Sequence, residues 1–340
     1  MLKNKKENNF KEQKVIFIKF LKIYIRYKIF FLFLLLIIIF IFNHFYIRYY
    51  LLLKSRKFYK ARIKYLKKFN RKYKESNLKT FEDKLNWLLI HDTNKLIFII
   101  FYLYIGKLFL INKLGLKGKC ADKILLHKYS YFKIGKDICN KIIKIYDNIE
   151  QININELPNK FVLKTNHGSG FNFIVNNKSE FNFSTAKAIL KYWMNIDYGK
   201  WQAEFHYSFI NKKIFAEEYI GKTLKNYKIL CYNGNPKYIY VSIKEGNNKY
   251  RNFYDINWNF LNFSCMTKPH PTYKYPKPKL FELMKIYARK LSKDFKFVRV
   301  DLYELENEIR LGELTFIPMN SFFWCKNKSN EIELGKDIII

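Results

Sequence analysis

The sequence predicts an α+β protein with mostly antiparallel strands, preceded by an N-terminal apolar helix. Three observations support this. Short apolar strands flank a glycine-bearing loop at 166–170, an Asn-Gly turn at 233–236 separates two strands, and two later strands enclose a Glu-Asn-Glu turn. Helix-like periods lie between them, at about 184–197, where Ser184 is the expected cap, and at 280–291. Hairpins with inserted helices are typical of α+β architectures.

The composition indicates a folded and strongly basic chain. The 340 residues suffice for one large domain or two ordinary ones, and 49% hydrophobic with 19% aromatic residues exclude disorder for most of the chain. The formal net charge is +35, and about half of it lies in residues 1–77. This charge, with aromatics among the lysines of 57–74, is compatible with nucleic-acid binding. Only nine of the 63 basic residues are Arg, the better reader of bases, so nucleic acid is not the favoured partner.

Residues 1–77 are predicted to be a basic, hydrophobic membrane-anchor segment. Nineteen uncharged residues, including the apolar run 29–42, separate Lys28 from Arg48. At about 1.5 Å per residue this barely matches a hydrocarbon core of about 30 Å. We therefore expect single-pass or peripheral attachment to the inner (cytoplasmic) membrane, with anionic lipid as a partner and the rest of the chain in the cytoplasm. An interfacial or re-entrant anchor is the alternative.

A second apolar run, Leu96–Ile111, is broken by Gly106 and Lys107 and is too short before the break to span a bilayer. It is either a buried helix or a further membrane contact. The five cysteines form no C-x-x-C pair and are odd in number, which argues against a disulfide framework and against structural zinc. We expect them to be reduced core residues.

Behind the anchor, two regions follow. Residues 78–150 are predicted to be mostly helical, and residues 151–340 to form the strand-rich part. Its strands are expected at 161–164, 173–175, 214–220, 227–232, 237–244, 297–303 and 309–316.

The loop after the first of these strands has the composition of a phosphate-binding flap. In FVLKTNHGSGFNFIV (161–175), Gly168 and Gly170 let backbone amides approach phosphate oxygens, Ser169 can contact them, and Lys164 supplies a point charge. No Walker motif is present, and a simple hairpin with a solvated lysine is the alternative.

The last two strands carry paired carboxylates. FVRVDLY (297–303) and LGELT (311–315) place Asp301 and Glu313 on adjacent strands, where they can hold Mg²⁺ against nucleotide phosphates. Arg299 lies two residues before Asp301 and so shares its strand face, where it can stabilise developing negative charge. A surface strand pair of alternating charge is the alternative.

A third segment, FAEEYI (215–220) with Lys228 behind it, offers backbone groups to an adenine edge and Glu218 to a ribose. Each motif is unremarkable alone, but their order along the chain is informative.

The order of the motifs resembles that of the ATP-grasp superfamily. More closely, 78–340 resembles the TupA-like ATP-grasp family, through KLNWLLIHD (84–92), ADK (121–123), IYDNIEQININELPNKFVLKTNHGSG (145–170), AEEYI (216–220), YKILCYNGNPKYI (227–239) and FVRVDLYELENEIRLGELTF (297–316).

The resemblance implies an ATP-grasp fold, in which antiparallel sheets sandwich the nucleotide, and ATP and Mg²⁺ as cofactors. It implies that Arg299 acts on the transition state and that Asp301, Glu313 and Thr315 hold the metal ion. It also implies a set of residues that contact the nucleotide. The nucleotide set is Lys164, His167, Gly168, Ser169, Gly170, Glu217, Glu218, Tyr219 and Lys228. Three departures stand out: Thr315 replaces a common Asn, the loop 317–321 lacks the usual glycine that helps to hold an acceptor carboxylate, and residues 1–77 and 96–116 are not part of the family pattern.

By this resemblance the chain is expected to be an ATP-dependent carboxylate–amine (or thiol) ligase of bacterial cell-surface polysaccharide biosynthesis, such as that of capsule, lipopolysaccharide or teichuronopeptide. Its partners would be ATP and an acceptor carboxylate and amine. A glycosyltransferase of the same pathway is the alternative, but none of the Asp residues forms the D-x-D metal motif such enzymes often use.

Overall fold

The computed structural model describes residues 79–85, 87–88, 115–202, 204–221, 225–321 and 323–339, and the side chain of residue 320 is not among the described ones. These residues belong to one compact unit, Arg56–Ile340. They form an α+β structure with two antiparallel sheets, which confirms this part of the predicted fold, whereas the predicted N-terminal helix lies outside the described residues.

The smaller sheet has four strands in the order β1-β4-β2-β3, all paired antiparallel. The strands are β1 (Ile142–Tyr146), β2 (Phe161–Thr165), β3 (Asn172–Val175) and β4 (Ile214–Glu218). Strand β1 lies in the region predicted to be mostly helical. Helical residues 115–121 and helix α1 (Leu125–Ile134) precede it, and β1 then joins the sheet beside β4.

Helix α2 (Phe183–Asn195) packs on the smaller sheet through Leu190, and its Ala186 is also buried. Its N-cap is Asn182, whose side chain accepts a hydrogen bond from the backbone N–H of Thr185. The predicted cap, Ser184, lies inside the helix instead. The short helix α3 (Tyr198–Gln202) follows.

The larger sheet has six strands in the order β10-β9-β5-β6-β7-β8, again all antiparallel. They are β5 (Asn226–Tyr232), β6 (Asn235–Glu245), β7 (Asn248–Asp255), β8 (Phe260–Leu261), β9 (Phe297–Glu304) and β10 (Ile309–Thr315). Two further α-helices are α4 (Phe281–Ser292) and α5 (Lys328–Gly335).

Strand alternation gives the larger sheet two different faces. Helix α4 covers one face, where its Met284 and Leu291 meet Val298 and Val300. The opposite face is apolar at one end, where Phe323 and Phe297 pack together in one cluster. Its other end carries charged side chains instead, and this is the end that borders the candidate site.

The cysteine prediction is wrong for two of the five residues. Cys265 and Cys325 form a disulfide across an isolated antiparallel bridge, although 60 positions separate them. Cys120, Cys139 and Cys231 are unpaired and buried, as expected for core residues. Sequence spacing could not show the pairing, because only the fold brings the two distant segments side by side.

The predicted location at the cytoplasmic membrane is corrected by the structure. Among the described residues, no helix combines the length and apolarity needed to cross a bilayer. Helix α2, with 13 residues, extends about 20 Å, against a hydrocarbon core of about 30 Å. The segments from which the anchor and its lipid contact were predicted, 1–77 and 96–111, lie outside the described residues.

Candidate functional site

Two adjoining cavities contain most of the predicted site residues. One, of about 210 Å³, is lined by residues from both sheets, among them Lys164, Lys228, Asp301 and Glu313. The other, of about 330 Å³, is lined mainly by the smaller sheet and the segment after β4, including Glu218 and Tyr219. The cavities adjoin because six residues line both: Asn140, Lys164, Asn172, Glu217, Asn226 and Tyr303.

The two predicted metal carboxylates face each other across β9 and β10. Asp301 pairs in register with Glu313, next to an irregularity between Leu311 and Glu313. Gly312 occupies this bulge, where a Cβ would come within 2.6 Å of the Tyr303 ring, so only glycine fits without displacement. The bulge allows Glu313 to lie on the same face as Asp301.

Arg299 holds both carboxylates. Its Nε donates to Asp301 Oδ1 at 2.5 Å, and its Nη2 donates to Asp301 Oδ2 at 2.8 Å and to Glu313 Oε1 at 2.6 Å. Nη2 also donates to Thr315 Oγ1 at 2.9 Å, and Nη1 to the Tyr240 hydroxyl at 3.2 Å. Glu313 is therefore a partner of Arg299 in the resting site. Thr315 donates in turn to Glu313 Oε1 at 3.0 Å, so it contacts the carboxylate as well as the arginine.

These contacts set the charges of the cluster. Burial alone would lower the pKa of Arg299, but Asp301, Tyr240 and Glu313 hold it well above its ordinary value. Burial alone would raise the pKa of Glu313, but Arg299, Lys228 and other nearby groups lower it to about 2. Glu313 is therefore an anion at neutral pH.

Three lysines surround the smaller cavity from different elements. Lys228 stands opposite Asp301 in register on β5, and its Nζ lies 2.6 Å from Asp301 Oδ2. Lys164 on β2 forms an ion pair with Glu217 on the adjacent β4. Both lysines thus have carboxylate partners in the resting site.

The third lysine, Lys123, lies in the ADK motif (121–123), and no functional role was predicted for it. Its Nζ donates to the carbonyl oxygen of Gly168 at 2.5 Å, which ties the start of α1 to the glycine loop. Burial lowers the pKa of Lys123 to about 8, while the negative charge of Glu313 acts against this. Asp122 positions the segment, since its carboxylate accepts from the backbone N–H groups of Ile124 and Leu125. In the sequence, the one feature that could have indicated Lys123 as a site residue was its position beside the start of a helix.

The glycine loop is a tight connection between β2 and β3. The N–H of Thr165 donates to the carbonyl of Phe171 at 3.1 Å. Gly168 and Gly170 have φ values of +82° and +79°, which glycine adopts without steric cost. Ser169 and Gly170 line the smaller cavity, whereas Gly168 packs under the Tyr198 ring.

Not every predicted residue reaches the cavities. The side chain of His167 is buried, and its Nε2 lies 3.1 Å from the carbonyl oxygen of Trp193. Burial lowers the pKa of His167 to about 4, so the ring is neutral at physiological pH. Glu217 does reach them: it lines both cavities, and its carboxylate pairs with Lys164.

Two asparagines were missed by the sequence reasoning. Asn140 and Asn226 line both cavities, and the side-chain oxygen of each is buried and has no hydrogen-bond partner among the described residues. Such oxygens are acceptors that a ligand N–H or O–H could satisfy. Isolated asparagines outside a motif give no signal in an Asn-rich sequence.

The loop after β10 keeps an unusual backbone without glycine. Met319 and Ser321 have φ values of +52° and +60°, a region that L-residues seldom adopt. Two residues of the glycine-free loop 317–321 thus adopt a backbone conformation that favours glycine.

Comparisons with known proteins agree with the order of these motifs. A family model described as TupA-like ATPgrasp matches residues 111–339. No curated protein matches.

Similar solved structures include three ligases. A D-alanine–D-alanine ligase from Bacillus anthracis, complexed with ATP, is 15% identical with a TM-score of 0.35, over 58% of this chain and 54% of that one. D-alanyl-alanine synthetase A from Vibrio cholerae is 14% identical with a TM-score of 0.36, over 60% and 57%. The ATP-grasp ligase PsnB, complexed with a minimal precursor, Mg and ADP, is 10% identical with a TM-score of 0.33, over 60% and 52%. This chain spans little more than half the length of each, and scores this low carry no argument by themselves.

Proposed function

This chain belongs to the TupA-like ATP-grasp family, a family of ATP-dependent ligases, and from that premise we propose that it is an ATP- and Mg²⁺-dependent carboxylate–amine (or thiol) ligase. The observation that carries the proposal is the smaller cavity. Paired carboxylates on one sheet face a glycine loop and a lysine on the other, within one space of about 210 Å³. This combination is suited to phosphoryl transfer, which depends on positioning and on charge stabilisation.

We propose that the larger cavity takes the adenosine and the smaller one the phosphates. The segment Glu217–Tyr219 borders the larger cavity and offers backbone groups to the base, with Glu218 exposed for the ribose. Lys164 and Lys228 line the smaller cavity. Each forms an ion pair with a carboxylate in the resting site and would exchange this partner for a phosphate oxygen when the nucleotide binds.

The donor set at Asp301 and Glu313 fits Mg²⁺, a cation that prefers oxygen ligands and is usually held by one or two carboxylates together with substrate phosphates. Both carboxylates are on one face, and the lowered pKa of Glu313 keeps it ionised. Thr315 Oγ1, at 3.0 Å from Glu313, is placed to orient that carboxylate. When bound there, Mg²⁺ would neutralise charge on the phosphates.

The proposed reaction has two steps. A carboxylate oxygen of the acceptor attacks the γ-phosphorus of ATP, the bond to ADP breaks, and an acyl phosphate forms. An amine then attacks the acyl carbon, inorganic phosphate leaves, and the amine loses a proton to form the amide. Arg299, with five hydrogen bonds to its neighbours, is fixed beside the carboxylates where negative charge develops.

We further propose that the product belongs to bacterial cell-surface polysaccharide biosynthesis, in line with the family resemblance. Family membership favours the ligase over the glycosyltransferase considered from the sequence.

The test is ADP release by the full chain with Mg²⁺ and a panel of uronic acids and amino acids. ADP and phosphate should appear only with a suitable acceptor and amine. Asp301→Ala and Glu313→Ala should abolish turnover while the fold is retained, because each removes a proposed metal ligand. Glu308→Gln, which changes an exposed carboxylate in the turn before β10, is the matched control and should keep full activity. If ATP does not bind at millimolar concentration with Mg²⁺ present, the proposal fails.

A further inference from the structure

A second cationic group lies on the same face of the larger sheet as the metal carboxylates. In register, Asp301 stands opposite Lys228, and Lys228 opposite Tyr240. Arg251 on β7 stands opposite Ser242 on β6, two residues from Tyr240 along that strand. Because side chains at alternate positions share a face, Arg251 projects from the face that carries Asp301 and Lys228.

The guanidinium of Arg251 is linked to the catalytic cluster through one ring. Its Cζ lies 4.7 Å from the centre of the Tyr240 ring and 5.9 Å from that of Phe323. The hydroxyl of the same Tyr240 accepts from Arg299 Nη1 at 3.2 Å. Tyr240 therefore contacts Arg251 by its ring and Arg299 by its hydroxyl.

Unlike Lys228 and Arg299 on the same face, Arg251 has no anionic partner among the residues that the structure describes. Its Nε and Nη1 are buried and make no hydrogen bond to any residue in the described part of the chain. By contrast, Lys228 is paired with Asp301, and Arg299 with both carboxylates. Burial lowers the pKa of Arg251, and the nearby charge of Arg299 acts in the same direction, but a guanidinium keeps its proton.

A buried guanidinium with unused N–H groups is costly unless an anion meets it. The two aromatic rings supply only part of the compensation, since a cation over a ring face still leaves its N–H groups without acceptors. Beside it, Ser242 is exposed, so the sheet face is open to solvent next to the guanidinium. The loop with the left-handed Met319 and Ser321 leads directly into the segment of Phe323.

We propose that Arg251 is the receptor for an anionic group, a carboxylate or a phosphate, of the substrate that receives the acyl or phosphoryl group. This inference rests on the proposed ligase function and specifies its substrate class: a molecule with a negative group in addition to the carboxylate or amine that reacts. The planar guanidinium suits both carboxylate and phosphate, and its position one ring from Arg299 orients the acceptor toward the metal carboxylates.

The experiment uses the full chain saturated with ADP and Mg²⁺, so that the nucleotide site does not compete for added anions. Glucuronate, as the carboxylate probe, and inorganic phosphate are titrated separately by calorimetry. Wild type should bind at least one of them, and the stronger one identifies the preferred anion. Arg251→Gln should weaken that binding at least tenfold, and Arg251→Lys should weaken it less because the charge is kept.

The matched control is Lys249→Gln, which removes one positive charge from an exposed position two residues away on the same strand. It should leave anion binding within twofold of wild type. ADP affinity, measured on every variant, reports whether each one is folded and whether the nucleotide site is intact. Equal anion binding by wild type and Arg251→Gln would overturn the proposal, as would equal losses in Arg251→Gln and Lys249→Gln, or no binding of either probe to wild type. Failure to bind ADP and ATP would instead refute the proposed function itself.

Discussion

Replacing Arg299 with lysine tests the central cluster most directly, because it retains the charge and removes the planar fork. Arg299 makes five side-chain hydrogen bonds, three of them to the carboxylates of Asp301 and Glu313. A lysine ammonium has three donors on one atom, so at least two of the five bonds are lost.

The expected loss of stability follows from those contacts. Hydrogen bonds to charged groups contribute about 1.5–3 kcal/mol each, and breaking a buried ion pair costs about 3–5 kcal/mol. Since lysine keeps part of the pairing, Arg299→Lys should lower the free energy of unfolding by about 3 kcal/mol. A domain with a stability of about 5–15 kcal/mol stays folded after such a loss.

The same substitution should make the protein respond more strongly to Mg²⁺. Arg299 Nη2 binds oxygens of both carboxylates at 2.6–2.8 Å, and a metal ion at this site would draw on the same two carboxylates. A lysine contacts fewer of them, so Mg²⁺ binding should recover more stability in the variant than in wild type. If Arg299 also acts on the transition state, kcat per folded molecule should fall while ATP affinity stays nearly unchanged.

Urea unfolding of the full chain with and without Mg²⁺ measures both stability effects, and ADP release measures kcat. Arg310→Lys is the control, because Arg310 contacts the exposed Glu308 and the carbonyl oxygen of Cys139, both outside the carboxylate cluster, and exposed ion pairs contribute at most about 1 kcal/mol. A loss in Arg299→Lys no larger than in Arg310→Lys would refute the energetic reasoning. A pure stability loss with unchanged kcat would remove Arg299 from the catalytic residues.

Three further outcomes are expected. Lys164→Ala should weaken ATP binding by about 1.5–3 kcal/mol in calorimetry, because a phosphate-contacting charge is lost, and an unchanged affinity would contradict the flap assignment. Gly168→Ala should weaken ATP binding more than Gly170→Ala in the same titration: a Cβ at 168 would lie 2.6 Å from the Tyr198 ring, whereas at 170 nothing lies within 4 Å and only the left-handed backbone opposes the change. The pKa of Glu313 is about 2 in the folded state against 4.5 ordinarily, so its ionised form stabilises the fold above about pH 4.5, and this contribution is lost as the pH falls toward 2. The stability difference between wild type and Glu313→Gln should therefore shrink over that interval in acid-unfolding curves, and a constant difference would argue against the lowered pKa.

Local patterns sufficed for much of the strand arrangement. The alternation of Val298, Arg299, Val300 and Asp301 predicted one apolar and one charged face, and the structure confirms it, with both valines fully buried against α4. The Asn-Gly turn at 233–234 correctly indicated the hairpin of β5 and β6. Such features are readable because side-chain direction along a strand depends only on neighbouring positions.

Strands with weaker patterns were missed. Strand β7, NKYRNFYD, has charged and polar residues at most positions, and it is a strand because β6 and β8 pair with it on either side. Tertiary pairing overrides a weak local preference in this way. Missing β7 also meant missing Arg251, whose relation to the site exists only through the register of the sheet.

What the sequence determined by itself was the order of the motifs, the strand faces and the residue types that can hold phosphates and a metal ion. The tertiary structure alone decided which distant residues meet: Lys123 with the carbonyl of Gly168, Cys265 with Cys325, and Asn140 with Glu217. The physical reason is that periodicity reports the direction of a side chain relative to its own strand or helix, whereas a contact between elements depends on sheet order and register. Those are set by the packing of the whole domain, in which many weak local preferences are resolved together.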